Sequence, residues 1–497
     1  MRRTAEGGIT LKKKLTNKEI ALSIIVFILG MVLFMLIVFS TLTLNEGGNV
    51  FGYIGDHVHN FVTVAVTIAV LTALTFVYFW FENKTVLSKP SQILEIFILF
   101  SISAAGYAVV ARFISPVARP ASFVAMMLVM VSGRRDSIFL NSVYAIIMLV
   151  IDRYANEQAG QAFSIYVSYA SFLATFCSGI VAIFLFKNIK TRLGSVLAGL
   201  VLLVPVLAIN GAILLTTTDA ISTEYILVDF LLYSALDCIF SVLAFFVLLP
   251  VFEFVFAHLT PFRLRELTSD NAKIIKLLKK NALGTYNHSV VVAQLAEACA
   301  AAIGEDPELA RTAAYYHDVG KLKSPDMFAE NQSEVNLHQQ LTPELSADII
   351  RSHTRDGAKL IKRHHLPEFL ADVAVEHHGT MPIKYFYAKA LKMSDGELPI
   401  GVYSYNGPTP TSKIAAIVMI ADSSEAATRS LTDRSPEKVE ALVKSLIEER
   451  MNLDQFADCD ITMRELSIIA VTVATQLSGV YHSRVQYPKL TITKKSN

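Results

Sequence analysis

The strongest constraint on this chain is a series of long apolar segments within its first 257 residues. Most reach the roughly 20 residues that an α-helix needs to cross the hydrocarbon core of a bilayer. Eight can be counted, of which the fourth and fifth are the shortest: 20–44, 61–81, 93–111, 116–131, 137–151, 165–187, 195–215 and 229–256. With 53% hydrophobic and 18% charged residues, the chain is too apolar for an ordinary soluble protein. We therefore predict a tail at 1–19 and a polytopic transmembrane helical domain of about eight spans at 20–257.

The distribution of lysine and arginine predicts the orientation of these spans. If the N-terminus is cytoplasmic, thirteen basic residues fall in the inner segments and only Arg112, Arg119 and Arg153 in the outer loops. The positive-inside rule favours this arrangement. Because an even number of spans returns the chain to its starting side, we expect the C-terminal half to be cytoplasmic as well.

Three further features limit the function classes. The net charge of +1 gives no reason to expect a nucleic-acid polymer as partner. The four cysteines show no paired spacing, so we expect reduced thiols. Asp237 lies inside the last apolar segment, where an ionisable residue either marks a functional site or sits near the outer interface, since that segment is longer than one span.

From about residue 262 the pattern changes to amphipathic helices that begin after Pro, Ser or Thr and end at Gly. Alternating apolar and polar residues are nearly absent, so we predict an all-helical domain. Its first segment, RLRELTSDNAKIIKLLKKNALG, is basic and is either a stalk under the membrane or a solvated first helix. The predicted boundaries are 258–284 for this linker, 285–490 for the domain and 491–497 for a C-terminal tail.

Histidine and aspartate form a distinctive ordered series in this domain, spread over five predicted helices. Imidazole and carboxylate together suit Fe, Mn or Zn, and seven ligands are enough for two ions that share a carboxylate. Such a pair of ions suits hydrolysis of a phosphate ester, because it activates a bridging water as hydroxide and neutralises charge at the phosphorus. The candidate ligands are His288, His317, Asp318, His353, His377, His378 and Asp422.

Two cations are candidates for binding the phosphate. Lys321 follows Asp318 by one helical turn, and Arg429 follows Asp422 by seven residues on the same helical face. Taken singly, each feature has an ordinary explanation: a His–Asp pair is usually a structural hydrogen bond, and a lysine near a helix end is usually solvated. The ordered combination is what points to a site.

The order H…HD…H…HH…D resembles that of HD-domain metal-dependent phosphohydrolases. The whole segment from about 262 to 490 is most similar to the seven-transmembrane HD phosphodiesterases of the PgpH type, which hydrolyse cyclic di-AMP to the linear dinucleotide pApA in bacteria. The motifs that carry this resemblance are GTYNHSVVVAQLAEA, YYHDVGKLKSPDMFAENQ, EHHGT, IVMIADSSEAATRSL and GVYHSRVQYP. The resemblance implies a membrane-anchored phosphodiesterase in the bacterial plasma membrane, with a homodimer left open as its assembly state.

The resemblance also implies roles for individual residues. It assigns His288, His317, Asp318 and Asp422 to one metal ion, iron or manganese. It assigns His353, His377 and His378 to a second ion, with Asp318 as the bridge. Asp318 and Lys321 would then be catalytic, and Lys321 and Arg429 would bind substrate.

One departure and two alternatives accompany this interpretation. The family usually carries a large extracellular domain after its first span, and here that interval is about 16 residues, as in a compact relative or in a chain from which the domain was removed. One alternative is a membrane receptor whose HD domain binds nucleotide without cleaving it, although no ligand is missing. The other is hydrolysis of another nucleotide such as cyclic di-GMP, although EHHGTMPIKYFYAKA lacks the Gly-Tyr-Pro motif of those enzymes.

Overall fold

The computed structural model describes residues 15–43, 54–155, 161–215, 223–332, 336–394 and 396–480, and it divides into two compact units, Met1–Phe262 and Arg263–Asn497. Both units are helical. Among the described residues, the only β-type pairing is the isolated bridge between Pro382 and Ser404. The prediction of an all-α chain is therefore confirmed. The predicted tail at 491–497 and most of the tail at 1–19 lie outside the described residues.

The first unit contains the apolar helices. Seven of its described helices include stretches that are long and apolar enough to cross a membrane, which indicates a multi-pass membrane protein. In chain order the helices are α1 (Asn17–Thr43), α2 (Val58–Glu82), α3 (Lys84–Leu87), α4 (Pro90–Phe113), α5 (Phe123–Val131), α6 (Arg134–Ala155), α7 (Gln161–Phe186), α8 (Arg192–Leu215) and α9 (Thr223–Val255).

The fourth apolar segment, 116–131, is not among the seven candidate spans. Its helix, α5, has nine residues and is therefore only about 14 Å long, too short to cross a bilayer. Residues Phe123 to Leu128 of α5 are all buried within the unit. The apolar composition of this segment therefore reflects burial among other helices rather than contact with lipid.

The segment between α4 and α6 nevertheless returns the chain to the face from which α4 started. Asp136, at the start of α6, accepts hydrogen bonds from the Tyr78 hydroxyl (2.7 Å) and the Asn83 amide (2.6 Å) at the end of α2. Seven residues, 83–89, join α2 to α4, so α4 starts at this same face. The start of α4 and the start of α6 therefore lie at the same face of the unit.

Buried polar side chains contact the non-helical segment before α5. The Asp237 carboxylate accepts a hydrogen bond from the backbone N–H of Ala121 (3.1 Å), and Arg119 forms a buried ion pair with Asp152 (2.8 Å). Backbone at membrane depth is tolerated only when its polar groups have such partners. Asp237 is 1% exposed and is held by this contact, and its expected location near the outer interface stays a prediction.

The chain enters and leaves the first unit on the same face. The Ser23 hydroxyl, near the start of α1, donates to the Leu87 carbonyl between α2 and α4. His258, just after α9, contacts Glu95 in the first turns of α4 through its Nε2 at 2.7 Å. The start of α1, the α2–α4 connection and the end of α9 therefore lie at one end of the helical bundle.

The second unit consists of shorter helices whose ends follow the expected capping chemistry. Asp306 caps the helix that begins at Pro307, Thr342 and Ser412 cap two others, and Gly304 ends a helix with φ 84°. The helices are α10 (Pro261–Leu267), α11 (Lys273–Asn281), α12 (Leu283–Ile303), α13 (Pro307–Tyr316), α14 (Pro343–Arg363), α15 (Glu368–Glu376), α16 (Lys384–Leu391), α17 (Lys413–Arg429), α18 (Pro436–Asn452) and α19 (Met463–Val480).

Helix α17 lies at the centre of the second unit and packs against α12, α13, α15, α18 and α19. Its residues from Ile414 to Asp422 are all buried. A continuous 3₁₀ turn, Val319–Lys323, follows α13 and packs against α14. These contacts bring five of the predicted metal-ligand segments to one part of the unit.

The buried Arg119–Asp152 pair yields a testable prediction for the first unit. Replacing Asp152 with Ala leaves the Arg119 guanidinium, which is 3% exposed, without its counter-ion, and breaking such a pair costs about 3–5 kcal/mol. The expected result is a clearly lower thermal unfolding midpoint of the detergent-solubilised protein. Glu82→Gln is the control: it breaks an exposed pair with Arg135, which is worth less than about 1 kcal/mol. Equal effects of the two variants would contradict the assignment.

Candidate metal centre

The seven predicted ligands lie together in the second unit, although they come from distant parts of the chain. His288 is on α12, His317 and Asp318 follow α13, and His353 is in the second half of α14. His377 and His378 follow α15, and Asp422 is on α17. All except His378 are at most 8% exposed, so the cluster is buried with one accessible side.

Asp318 lies between two groups of side chains. Its Oδ1 is 3.2 Å from His353 Nε2 and 3.7 Å from His377 Nε2. Its Oδ2 is 3.3 Å from His317 Nε2 and 3.8 Å from His288 Nε2. One carboxylate oxygen therefore faces each group, which is the position that a bridging ligand requires.

The potential donor atoms form two sets, each within 4.8 Å of one another. One contains His288, His317, Asp318 and Asp422, and the other contains His353, His377 and His378. In the first set, Asp422 Oδ1 lies 2.9 Å from His288 Nε2 and 3.8 Å from His317 Nε2. Its Oδ2 lies 3.7 Å from His378 Nδ1 in the other set. Each set has a ligand composition that can hold a divalent metal ion.

Four of the five histidines are oriented by a contact at Nδ1. His317, His353 and His377 contact the backbone carbonyls of the residues three positions earlier, at 2.6, 2.5 and 3.0 Å. His288 Nδ1 contacts the Glu425 carboxylate at 2.6 Å. An Nδ1–H donating to such an acceptor leaves the Nε2 lone pair directed to the centre, as in metal-ligating histidines.

His378 is held differently, because no carbonyl accepts from its ring among the described contacts. Its ring stacks on Tyr405, with 4.2 Å between ring centroids and 25° between planes. Tyr405 is fixed in turn by its backbone N–H, which donates to the Met381 carbonyl at 3.0 Å. The long loop that follows α16 thus supplies the support for this histidine.

The buried polar atoms at the centre fit a bound cation. His317 Nε2 and both carboxylate oxygens of Asp318 are buried and form no hydrogen bond of ordinary geometry. Asp318 Oδ2 is 2.6 Å from Lys321 Nζ, so its charge is compensated from that side. Buried polar atoms without hydrogen bonds are costly, and a metal ion would provide the missing partner.

Burial and neighbouring charges shift the pKa values of several residues in the cluster, and at some residues the two effects act in opposite directions. Burial favours a neutral His317, but the Asp318 and Asp422 carboxylates outweigh it and raise the pKa of His317 to about 10. Burial lowers the pKa of His377 to about 4, against the opposing effect of Asp318. Burial would raise the pKa of Asp318, but Lys321 and His317 hold it well below its usual range. Because imidazole binds a metal ion in its neutral form, a metal ion and a proton compete for His317.

The two predicted phosphate-binding cations differ in their surroundings. Lys321 Nζ lies 2.6 Å from Asp318 Oδ2 and 2.8 Å from Glu330 Oε1. The lysine is therefore part of the cluster, and its positive charge is paired with two carboxylates. Arg429 Nε donates to Glu425 Oε1 at 2.6 Å. Arg429 therefore supports the carboxylate that orients His288, and its predicted contact with substrate stays a prediction.

Three residues of the site were missed by sequence reasoning. Glu425 follows Asp422 by three residues in a buried helix, and this spacing of two carboxylates was a usable signal. Glu330 and Tyr405 had no comparable signal, because Glu330 lies in a short 3₁₀ turn, Ala329–Asn331, and Tyr405 lies in the long loop after α16. Their roles follow only from the tertiary contacts with Lys321 and His378.

Gly320 permits the close approach of α14 to the segment that carries His317 and Asp318, and it yields a prediction. A Cβ at residue 320 would lie 1.9 Å from the His353 carbonyl oxygen and 2.5 Å from the Gly357 nitrogen. Gly320→Ala must push α14 away, so we expect about 1–3 kcal/mol of destabilisation and loss of bound metal. Thermal unfolding and metal analysis measure both effects. Gly401→Ala, with no atom within 4 Å of the new Cβ, should leave both unchanged.

Comparison with known proteins identifies the domain that carries this centre. The HD-domain family model matches residues 285–427. The cyclic-di-AMP phosphodiesterase PgpH of Listeria monocytogenes is 46% identical over 241 residues, which are 48% of this chain and 33% of the relative. PgpH of Bacillus subtilis is 44% identical over 245 residues, which are 49% and 34% of the two chains.

A crystal structure of the L. monocytogenes PgpH HD domain is 45% identical and covers 43% of this chain and 100% of that chain, with a TM-score of 0.41. The matched region spans about a third of the length of the curated relatives. The similarity therefore concerns the second unit. Residues 285–427 of this chain match the HD-domain family, and the chain is similar to the PgpH proteins over a segment of 241–245 residues.

Proposed function

We propose that this chain is a membrane-anchored, metal-dependent phosphodiesterase that hydrolyses cyclic di-AMP to pApA. The observation that carries the proposal is the pair of ligand sets that share the buried Asp318 carboxylate. They lie in a region 44–46% identical to proteins named as cyclic-di-AMP phosphodiesterases. The proposed substrate is inferred from this similarity, and the proposed reaction type is inferred from the metal-ligand residues.

Two divalent ions, manganese or iron, are the proposed cofactors. His288, His317, Asp318 and Asp422 would hold one, and His353, His377, His378 and Asp318 would hold the other. When bound, the ions would activate a water molecule and neutralise charge on the phosphodiester. Carboxylate and imidazole donors suit both metals, so the donor set supports the pair without separating them.

The residues around the ligands have separate tasks in the proposed reaction. The carbonyls of α13, α14 and α15 and the Glu425 carboxylate hold the imidazoles in the orientation that exposes Nε2. Lys321 remains protonated at neutral pH: burial lowers its pKa, but Asp318 and Glu330 outweigh this effect and raise it. Its ammonium group lies beside Asp318, where it can contact a phosphate oxygen of a bound substrate.

The proposed orientation places the N-terminus and the HD domain in the cytoplasm of a bacterial cell. This orientation requires both ends of the first unit to lie on the same side of the membrane. Contacts within the unit support this, because the start of α1 and the end of α9 lie on one face. The distribution of basic residues supports the cytoplasmic assignment of that face. A cyclic dinucleotide made in the cytoplasm would reach the HD domain on this side.

The function is tested on the purified full chain, incubated with Mn²⁺ and either cyclic di-AMP or cyclic di-GMP, with products separated by chromatography. We expect release of pApA, and we expect Asp318→Ala to reduce the rate at least about 100-fold, because that variant removes the carboxylate shared by the two ligand sets. His364→Ala changes a histidine at the end of α14 outside both sets and should retain the parent rate.

Other outcomes of this experiment decide between the alternatives. Binding of cyclic di-AMP without any product, unchanged in Asp318→Ala, would indicate a nucleotide receptor. Faster cleavage of cyclic di-GMP than of cyclic di-AMP would overturn the substrate and keep the enzyme class.

Tyr405 provides a separate prediction, because His378 depends on it for orientation. Tyr405→Leu removes the stacked ring and should weaken binding of one of two Mn²⁺ ions about 10- to 100-fold, as loss of ligand support usually does. Tyr405→Phe keeps the ring and should keep both ions. Calorimetric titration of metal into the metal-free full chain measures the stoichiometry. Equal loss in both variants would assign the effect to the hydroxyl rather than to the stack.

A further inference from the structure

Helix α11 carries an unusual basic stripe on its exposed face. Lys273, Lys276, Leu277 and Lys280 are all exposed, and their spacing of i, i+3, i+4 and i+7 places them along one side of the helix. The opposite side, formed by Ile274, Ile275 and Leu278, is at most 2% exposed. The helix is therefore strongly amphipathic, with its polar side made of cations.

The lysines of the stripe have no compensating carboxylate among the described residues. No described Asp or Glu oxygen lies within ion-pair distance of Lys273, Lys276 or Lys280. Lys279, on the flank of the stripe, is different: its Nζ lies 2.6 Å from Asp270 and 4.9 Å from the centre of the Tyr286 ring. Among the described residues, one lysine of this helix, Lys279, is therefore paired with a carboxylate of the same chain, and the other three lysines are not.

Helix stability does not explain this arrangement. Lys273 is the first residue of α11 and Lys276 the fourth, and the first turn contains no acidic residue. Cations near the N-terminus of a helix interact unfavourably with the helix dipole. Lys280 alone lies at the favourable C-terminal end. The first two lysines are therefore better explained by an external anionic partner.

The position of α11 in the chain favours a lipid surface as that partner. The last membrane helix ends at Val255 and α11 begins at Lys273, so 17 residues separate them. Seven of these are helical, and the connection reaches at most about 45 Å. The tether keeps the stripe near the bilayer at a high effective concentration.

We propose that the stripe Lys273–Lys276–Leu277–Lys280 binds the anionic headgroups of the adjacent membrane leaflet. Each lysine near an anionic leaflet contributes about a fivefold increase in binding. Leu277, 39% exposed, lies among the lysines, where it can enter the headgroup boundary as apolar residues of interfacial helices do.

The buried side of α11 connects this contact to the metal centre. Helix α11 packs against α12, which carries His288, and against the turn Val319–Lys323, which follows Asp318 and carries Lys321. A lipid that fixes α11 would therefore also restrain α12 and the turn Val319–Lys323, which α11 contacts.

The test uses the full chain in nanodiscs of zwitterionic lipid, with or without phosphatidylglycerol, and follows hydrogen exchange of the 273–280 amides. We expect exchange to slow at least about fivefold with the anionic lipid, and added salt to reverse the effect. The triple variant Lys273→Gln, Lys276→Gln, Lys280→Gln should lose this protection. Lys279→Gln removes a charge from the same helix but outside the stripe and should retain it.

Other outcomes of the experiment would contradict the proposal. Protection that does not depend on the anionic lipid, or that survives in the triple variant, would overturn the proposal. Protection produced by inorganic phosphate in zwitterionic nanodiscs would assign the stripe to a soluble anion instead. Because glutamine and lysine have similar helix propensities, an unchanged thermal midpoint checks that the triple variant is folded. None of these readouts depends on hydrolysis of a nucleotide.

Discussion

The second unit depends on one buried carboxylate, that of Asp318. A charge in a protein interior is stable only if neighbouring groups compensate it. Here Lys321 and His317 provide that compensation, and two sets of imidazoles face its two oxygens. Helices α12, α14 and α17 and the segments after α13 and α15 must therefore meet at one point. Gly320 permits the approach of α14 to the segment after α13, because any side chain there would collide with α14.

The first unit solves a related problem in an apolar environment. A non-helical backbone segment before α5 has polar groups that lipid cannot satisfy. Asp237 accepts from the Ala121 N–H of this segment, and the side chain of Arg119 in the same segment is paired with Asp152. The segment before α5 returns the chain to the face at which α4 starts, and the start of α1 and the end of α9 lie at that face as well. In both units, buried charged groups and their partners hold together segments that are distant in the sequence.

Much of the fold could be predicted from the sequence, because helical periodicity and capping are local properties. The Pro, Ser/Thr and Gly signals of the second unit correspond to observed helix ends at Pro307, Pro343 and Gly304. Hydropathy could not predict the arrangement of the fourth apolar segment, whose helix α5 has nine residues and is largely buried. Hydropathy records that a residue avoids water, and burial against protein and burial in lipid give the same signal.

The sequence by itself determined the chemistry of this protein: the seven metal-ligand candidates, their order and the alternation of apolar spans. These follow from residue identity and from spacing along one chain. The tertiary structure alone decided which groups meet. Glu425 lies 137 residues from His288, and the Tyr405 ring that stacks on His378 lies in a loop without periodic pattern. Such pairings depend on how helices pack in three dimensions, and no local spacing encodes them.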